Sequence, residues 1–190
     1  MYFSPAYISS LIVEPLRFFF YNYAPDNLKW NEDPNLSQIE IDTINNFNKI
    51  AIGTKPRILV SRGGYTVSPT GLSDSMAEGS SSRDQGIKFE KRFLMVTGQA
   101  QILIETAYEG TCERVVELTG NFLAWSSPTI ASAQGFKQFA LPLSVSPCTP
   151  TSEDVEIFQC SMGLPWIKET HFLIEEDGLV FKQFLASITT

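Results

Sequence analysis

The side chains that most often carry catalysis are scarce in this sequence. It has one histidine, His171, and three cysteines, Cys112, Cys148 and Cys160. A general base must lie within hydrogen-bond reach of the proton it takes, and a nucleophile needs such a base beside it. His171 stands in an alternating segment (Glu169, Thr170, His171, Phe172) with the period of a strand, and reads as a solvated strand histidine. Ser144 and Ser161 are the serines a triad would need, and nothing in the sequence joins either of them to His171.

The recognisable chemical motifs are missing as well. Gly71-Leu72-Ser73-Asp74-Ser75 looks like a nucleophile turn, but it lacks the second glycine and the strand-to-helix frame that exposes the serine. No P-loop, GxGxxG or HExxH occurs. The cysteines are odd in number, widely spaced and form no CxxC pair. They suggest no disulfide framework, a zinc site is not expected with a single histidine, and a reducing compartment follows. Glu153-Asp154 follows a proline-rich turn and Glu175-Glu176-Asp177 marks a hairpin tip, so both read as solvating loop tips rather than metal or glycosidase carboxylates. No catalytic, cofactor-binding or metal-binding residue is assigned, and the chain is not expected to be an enzyme.

Charge narrows the partners. The net charge is −7 and the pI about 4.7, whereas proteins that grip duplex DNA cluster Lys and Arg over the phosphates. The densest cationic group here is Lys88, Lys91 and Arg92. An acidic wall that DNA slides past without sticking is compatible with this balance; specific binding is not expected. The apolar stretch Ala6 to Tyr23 is interrupted by Glu14, Pro15 and Arg17 and has no basic leader, so neither a membrane span nor a signal peptide is expected.

The elements that must position these residues follow from periodicity. Ser4-Pro5 starts a helix in which Ile8, Leu11, Ile12, Leu16, Phe19, Phe20 and Tyr23 recur at helical spacing, and Pro15 is expected to kink or break it near Glu14. Ser37 to Ile44 alternates as a strand with Ile39 and Ile41 on one face, and Arg57 to Ser61 is a more buried strand. Gly63 to Gln85 turns to Gly, Ser, Thr and Asp and reads as a long loop that orders against a neighbour. Phe89 to Thr106 is the strongest strand signal, with Leu94, Val96, Gly98, Ala100, Ile102 and Ile104 in one row. At 18 residues it exceeds the usual strand, so either Gly98 bends it at a bulge or part of it projects as an arm. Gly110 to Ser126 is a helix that Pro128 stops, and Phe139 to Val145 alternates as an edge strand with Pro142 facing away. Val155 to Met162, Ile167 to Glu175 and, after an Asp177-Gly178 turn, Leu179 to Ile188 complete the strands.

This order gives an α+β fold: a mixed or antiparallel sheet with an N-terminal helix, one helix packed across the sheet and a long β arm. It is expected to form one structural domain over residues 1–190, with a flexible loop at about 63–87. The chain carries 14 Phe, 6 Tyr and 3 Trp, and Phe18-Phe19-Phe20 cannot all face one side of a helix whose residues turn about 100° each. Some of that aromatic surface must meet another element or another subunit. Tyr65, Leu72, Met76, Phe93 and Met95, on the loop and the first half of the long strand, are the expected oligomer interface.

The element order resembles that of the tail-terminator and tail-completion proteins of long-tailed bacteriophages. Local sequence is similar too: Trp30 before an alternating strand, Pro56 to Gly63 entering a loop, and Thr97 to Ile104 followed by the Glu113-to-Leu123 helix. The resemblance implies a structural virion protein, made in the host cytoplasm, that forms a homo-oligomeric ring, usually of six copies, at the neck or tail end around the DNA channel. Other virion proteins would be its partners and DNA only passing cargo, with no cofactor and no membrane. The alternative is a non-catalytic β-rich ligand- or carbohydrate-binding module, with Trp125, Trp166 and Tyr108 as a stacking surface.

Overall fold

The structure, a computed structural model, describes residues 7–44, 55–69, 89–151 and 157–175; for 69, 89–93 and 171–175 it describes the backbone only. Helix α1 spans Tyr7–Asn22 and buries Ile8, Ile12, Leu16 and Phe20, a stripe at four-residue intervals. It runs unbroken through Pro15, so the break expected near Glu14 does not form. Helix packing explains this: Ile12, Val13 and Leu16 around the proline are all buried, so tertiary contact outweighs one lost backbone bond. The Ser4-Pro5 start lies outside the described residues.

Strand β1 is Glu40–Thr43 and β2 is Arg57–Ser61, paired in parallel with Ile41 opposite Ile58. Ile39 and Ile41 are both buried, as their alternation predicts. Arg57 is 3% exposed and its Nε lies 2.9 Å from the Glu40 carboxylate across this pair. Tyr65–Pro69 forms β3, where a loop was expected. A turn that only glycine tolerates allows it: Gly63 has φ +64°, a Cβ there would fall 1.8 Å from the Gln99 carbonyl oxygen, and the Gly64 carbonyl accepts from the Gln99 N–H at 3.2 Å. Residues 70–88, the rest of that expected loop, lie outside the described residues.

Strand β4 covers Phe89–Thr106, the full expected span. It pairs antiparallel with β2, with Ile58 opposite Ile104 and Val60 opposite Ile102. The strand is continuous through Gly98, whose backbone is not left-handed. Helix α2 spans Glu109–Gln134, eight residues past the expected stop. Pro128 sits inside it. Ser126 and Ser127 beside it are both buried, so packing carries the helix past the lost backbone bond, and the Ser127 hydroxyl donates to the Leu123 carbonyl. The helix ends at Gly135, left-handed at φ +67°, whose N–H bonds back to the last turn.

The expected Phe139-to-Val145 strand is two short ones, β5 (Phe136–Phe139) and β6 (Ser144–Val145). Ala140 at φ +59° and the cis Leu141–Pro142 bond turn the chain between them. Strand β7 is Thr149–Pro150. The two strands expected after it are instead one, β8, over Phe158–Glu175. Across the gap between the two expected strands, Gly163 pairs with Ser144 and the Pro165 carbonyl accepts from the Ala140 N–H at 2.8 Å, so neighbours carry the strand through. Residues 152–156 and 176–190, with the expected Asp177-Gly178 hairpin, lie outside the described residues.

Together the strands form an eight-stranded mixed sheet in the order β1-β2-β4-β8-β5, with β3 on β4 and with β6 and β7 on β8. The fold is α+β. Ala100, Ile102 and Ile104 of β4 and Cys160, Met162, Leu164 and Trp166 of β8 are all at most 1% exposed and form the core with the buried sides of α1 and α2. Helix α2 lies over β8, since a Cβ on Gly120 would touch Met162 Cε at 3.4 Å. By internal packing the chain divides into two compact units: Met1–Tyr65 with Thr97–Ile167, and Thr66–Val96 with Lys168–Thr190. Both helices, β1, β2 and β5 to β7 belong to the first unit; β4 and β8 each continue from one unit into the other.

Candidate functional site

Three features of the first unit could do something beyond holding the fold. The largest is aromatic. Phe20 points into the core at 0% exposure, so its neighbours on α1 must point elsewhere. Phe19 turns toward α2 and stacks on Phe122, with ring centroids 4.6 Å apart and planes inclined by 21°. Tyr23 lies 6.2 Å from both Phe18 and Phe19, and Trp125 lies 6.4 Å from Phe122. The five rings make a continuous ridge across the two helices. Its outer members are open to solvent, Trp125 at 79%, Tyr23 at 69% and Phe18 at 61% exposed. Neither Phe18 to Tyr23 nor Leu118 to Gln134 contains a charged residue. A large apolar patch without charge is what buried interface centres look like, and it is costly on a surface left in water.

The ridge is held firmly from behind. Arg17 of α1 donates from Nε to the Ile41 carbonyl at 3.0 Å, its guanidinium lies 3.6 Å from the Asp42 carboxylate, and its Cζ sits 5.3 Å over the Trp30 ring. This pins α1 to the end of β1. The Phe18-Phe19-Phe20 run announces the ridge in the sequence. Its α2 half, Phe122 and Trp125, was missed, because only the structure shows that these two rings continue the row from α1.

The second feature is a cleft of about 410 Å³ lined by Gln99, Gln101, Ser144, Val145, Ser146, Ser161, Met162 and Gly163. Gly163 keeps it open, since a Cβ there would fall 2.3 Å from Gln99 Nε2 and 2.4 Å from Ser144 Oγ. Ser144 and Ser161, the two serines considered for a triad, are thus brought together, and Ser161 Oγ lies 3.2 Å from Ser146 Oγ. The lining offers amides and hydroxyls but no titrating group. The side chain of His171 lies outside the described residues.

The third feature is the cysteines. Their sequence spacing suggests no pair, yet all three converge. Cys112 opens α2, Cys148 lies between β6 and β7, and Cys160 is on β8. The sulfurs of Cys112 and Cys148 are 2.7 Å apart, and Cys160 Sγ lies 3.0 Å from the Ser146 carbonyl oxygen. All three are free thiols. Burial is the main reason that the Cys112 thiol is pushed well above the ordinary range and that the Cys160 thiol is raised, with the Cys148 thiol adding to both. Among the described residues no group of His, Cys, Asp and Glu is arranged to hold a metal ion.

No protein-family model matches the sequence, and no curated protein is significantly similar to it.

The residues expected at an oligomer interface are placed as follows. Tyr65 is 45% exposed, with the Arg62 guanidinium carbon 5.8 Å from its ring centre, and Met95 is half-buried. Phe93 lies on β4 with its side chain outside the described residues, as do Leu72 and Met76 entirely. The aromatic platform expected of a ligand-binding module does not form. Trp166 is 1% exposed, packed edge-on to Phe136 with centroids 6.5 Å apart, while Trp125 and Tyr108 project from α2 and its N-cap. A period-two row gives no sign of which aromatic fills the core; here the space above Gly98 decides it. No described helix is long and apolar enough to cross a membrane.

Proposed function

We propose that this chain is a non-catalytic structural subunit that associates with copies of itself through the aromatic ridge. The carrying observation is the charge-free row Phe18, Tyr23, Phe19, Phe122 and Trp125 across two helices, with Phe18, Tyr23 and Trp125 open to water. Aromatic anchors with few charges are the usual energetic centre of an interface. The assembly that suits the fold class is the one the sequence resembles: a ring, six copies in that family, at the neck or tail end of a long-tailed phage particle. A subunit of net charge −7 suits a channel wall past which DNA must slide without binding. Its other partners are then neighbouring virion proteins, its site the virion, and its place of synthesis the host cytoplasm.

Sedimentation velocity of the parent chain and of a Tyr23→Glu/Trp125→Glu variant tests this. Both residues are exposed, so the variant keeps its fold, and a discrete assembly in the parent should shift to the monomer. A variant that sediments like the parent would remove the ridge as the contact. A second reading, a ligand- or carbohydrate-binding module, is favoured by the amide- and hydroxyl-lined cleft alone. Glycan binding by a monomeric chain, lost in Gln101→Ala, would support it over assembly.

A further inference from the structure

We propose that Cys112 and Cys148 form a reversible disulfide, a modification site closed by a small-molecule disulfide such as oxidised glutathione, with Cys160 left as a thiol. A gap of 2.7 Å lies well inside ordinary non-bonded approach of two sulfurs and about 0.7 Å from the covalent distance of roughly 2.05 Å. A shared metal ion does not explain it. Two thiolates on one tetrahedral zinc, each bond about 2.3 Å, stand about 3.8 Å apart. Cys160 is held out of the pair, its S–H directed at the Ser146 carbonyl 3.0 Å away.

Access decides the order of events. Cys148 is half-buried and Cys112 fully buried. The Cys148 thiolate attacks one sulfur of the small disulfide, a mixed disulfide forms, and one small thiol leaves. Cys112 then attacks Cys148 Sγ and passes its proton to the second small thiol, which departs with the bonding pair. Two protein thiols become one disulfide, and one small disulfide becomes two thiols. Pro147 and Pro150 flank Cys148 and restrict the segment, so it has little freedom to swing toward another partner. The bond would tie the first turn of α2 to the β6–β7 segment, 36 residues along the chain. A chain made in a reducing cytoplasm would keep the pair open, and release into an oxidising medium would close it.

Incubation of the whole folded chain with oxidised glutathione, followed by maleimide labelling, intact mass and peptide mapping, tests this. The expected product is lighter by about 2 Da, labels at one thiol and links the Cys112 peptide to the Cys148 peptide. Its melting temperature should rise by roughly 5–10 °C and fall back on reduction, as expected for a loop of this size in a chain of this length. Cys160→Ser should behave as the parent, and Cys148→Ser should give no link. Three thiols still labelled at equilibrium, a stable glutathione adduct on Cys148, or a link through Cys160 would each overturn the assignment. The peptide map of the parent decides the matter even if a variant fails to fold.

Discussion

The indole of Trp166 occupies the space that a side chain at position 98 would need. A Cβ built on Gly98 would lie 2.4 Å from Trp166 Cζ2 and 2.6 Å from Cε2, with the Gly64 carbonyl oxygen 2.9 Å away on another side. Gly98 is therefore the floor on which the largest buried side chain rests, and its value is the side chain it lacks.

Gly98→Val should accordingly destabilise the chain by roughly 1–3 kcal/mol or more, since overpacking forces the indole off its rotamer or the strands apart. Gly98→Ala should already be felt. Urea denaturation followed by Trp fluorescence reads both the loss and the displaced ring. Wild-type stability in Gly98→Val would mean that Trp166 is not seated there.

Phe19 and Phe122 should be energetically coupled. In a double-mutant cycle with Phe19→Leu and Phe122→Leu, the double variant is expected to lose about 0.5–1.5 kcal/mol less than the sum of the single losses, because each single change already breaks the shared contact. Chemical denaturation of the four proteins measures it. Strict additivity would show that α1 and α2 do not meet through these rings.

Stability should fall at alkaline pH through the thiol cluster. Burial, with the neighbouring Cys148 thiol, raises the Cys112 thiol in the folded chain. The folded state then holds a proton that the unfolded state has released. The contribution is present in full below the ordinary thiol value of about 8.5 and is lost as pH rises above it. In Cys112→Ala, under reducing conditions, the decline of melting temperature above about pH 8.5 should be shallower. An unchanged slope would place the effect on other groups.

Periodicity made the sheet and both helices legible, because burial repeats every two or about 3.6 residues along β4, β8, α1 and α2. The errors cluster at proline and glycine. Pro15 was expected to kink or break α1 and Pro128 to stop α2, yet both helices run past them, with Ile12, Val13 and Leu16 buried around Pro15 and Ser126 and Ser127 buried beside Pro128. At Gly98 the need for a bare backbone against Trp166, 68 residues away, left no trace in the local sequence. The convergence of Cys112, Cys148 and Cys160 was equally hidden, since spacing along the chain carries no trace of a meeting between a helix start, a turn and a strand. Of the ridge, only the Phe18-Phe19-Phe20 half could be read ahead of the fold.

Native mass spectrometry of the purified full-length chain at micromolar concentration tests self-association most directly. A closed ring predicts one discrete species at an integer multiple of the 21.2 kDa chain, six-fold for the family it resembles, that collapses to monomer in Tyr23→Glu/Trp125→Glu. A parent chain that stays at 21.2 kDa at every concentration would contradict a self-assembling subunit.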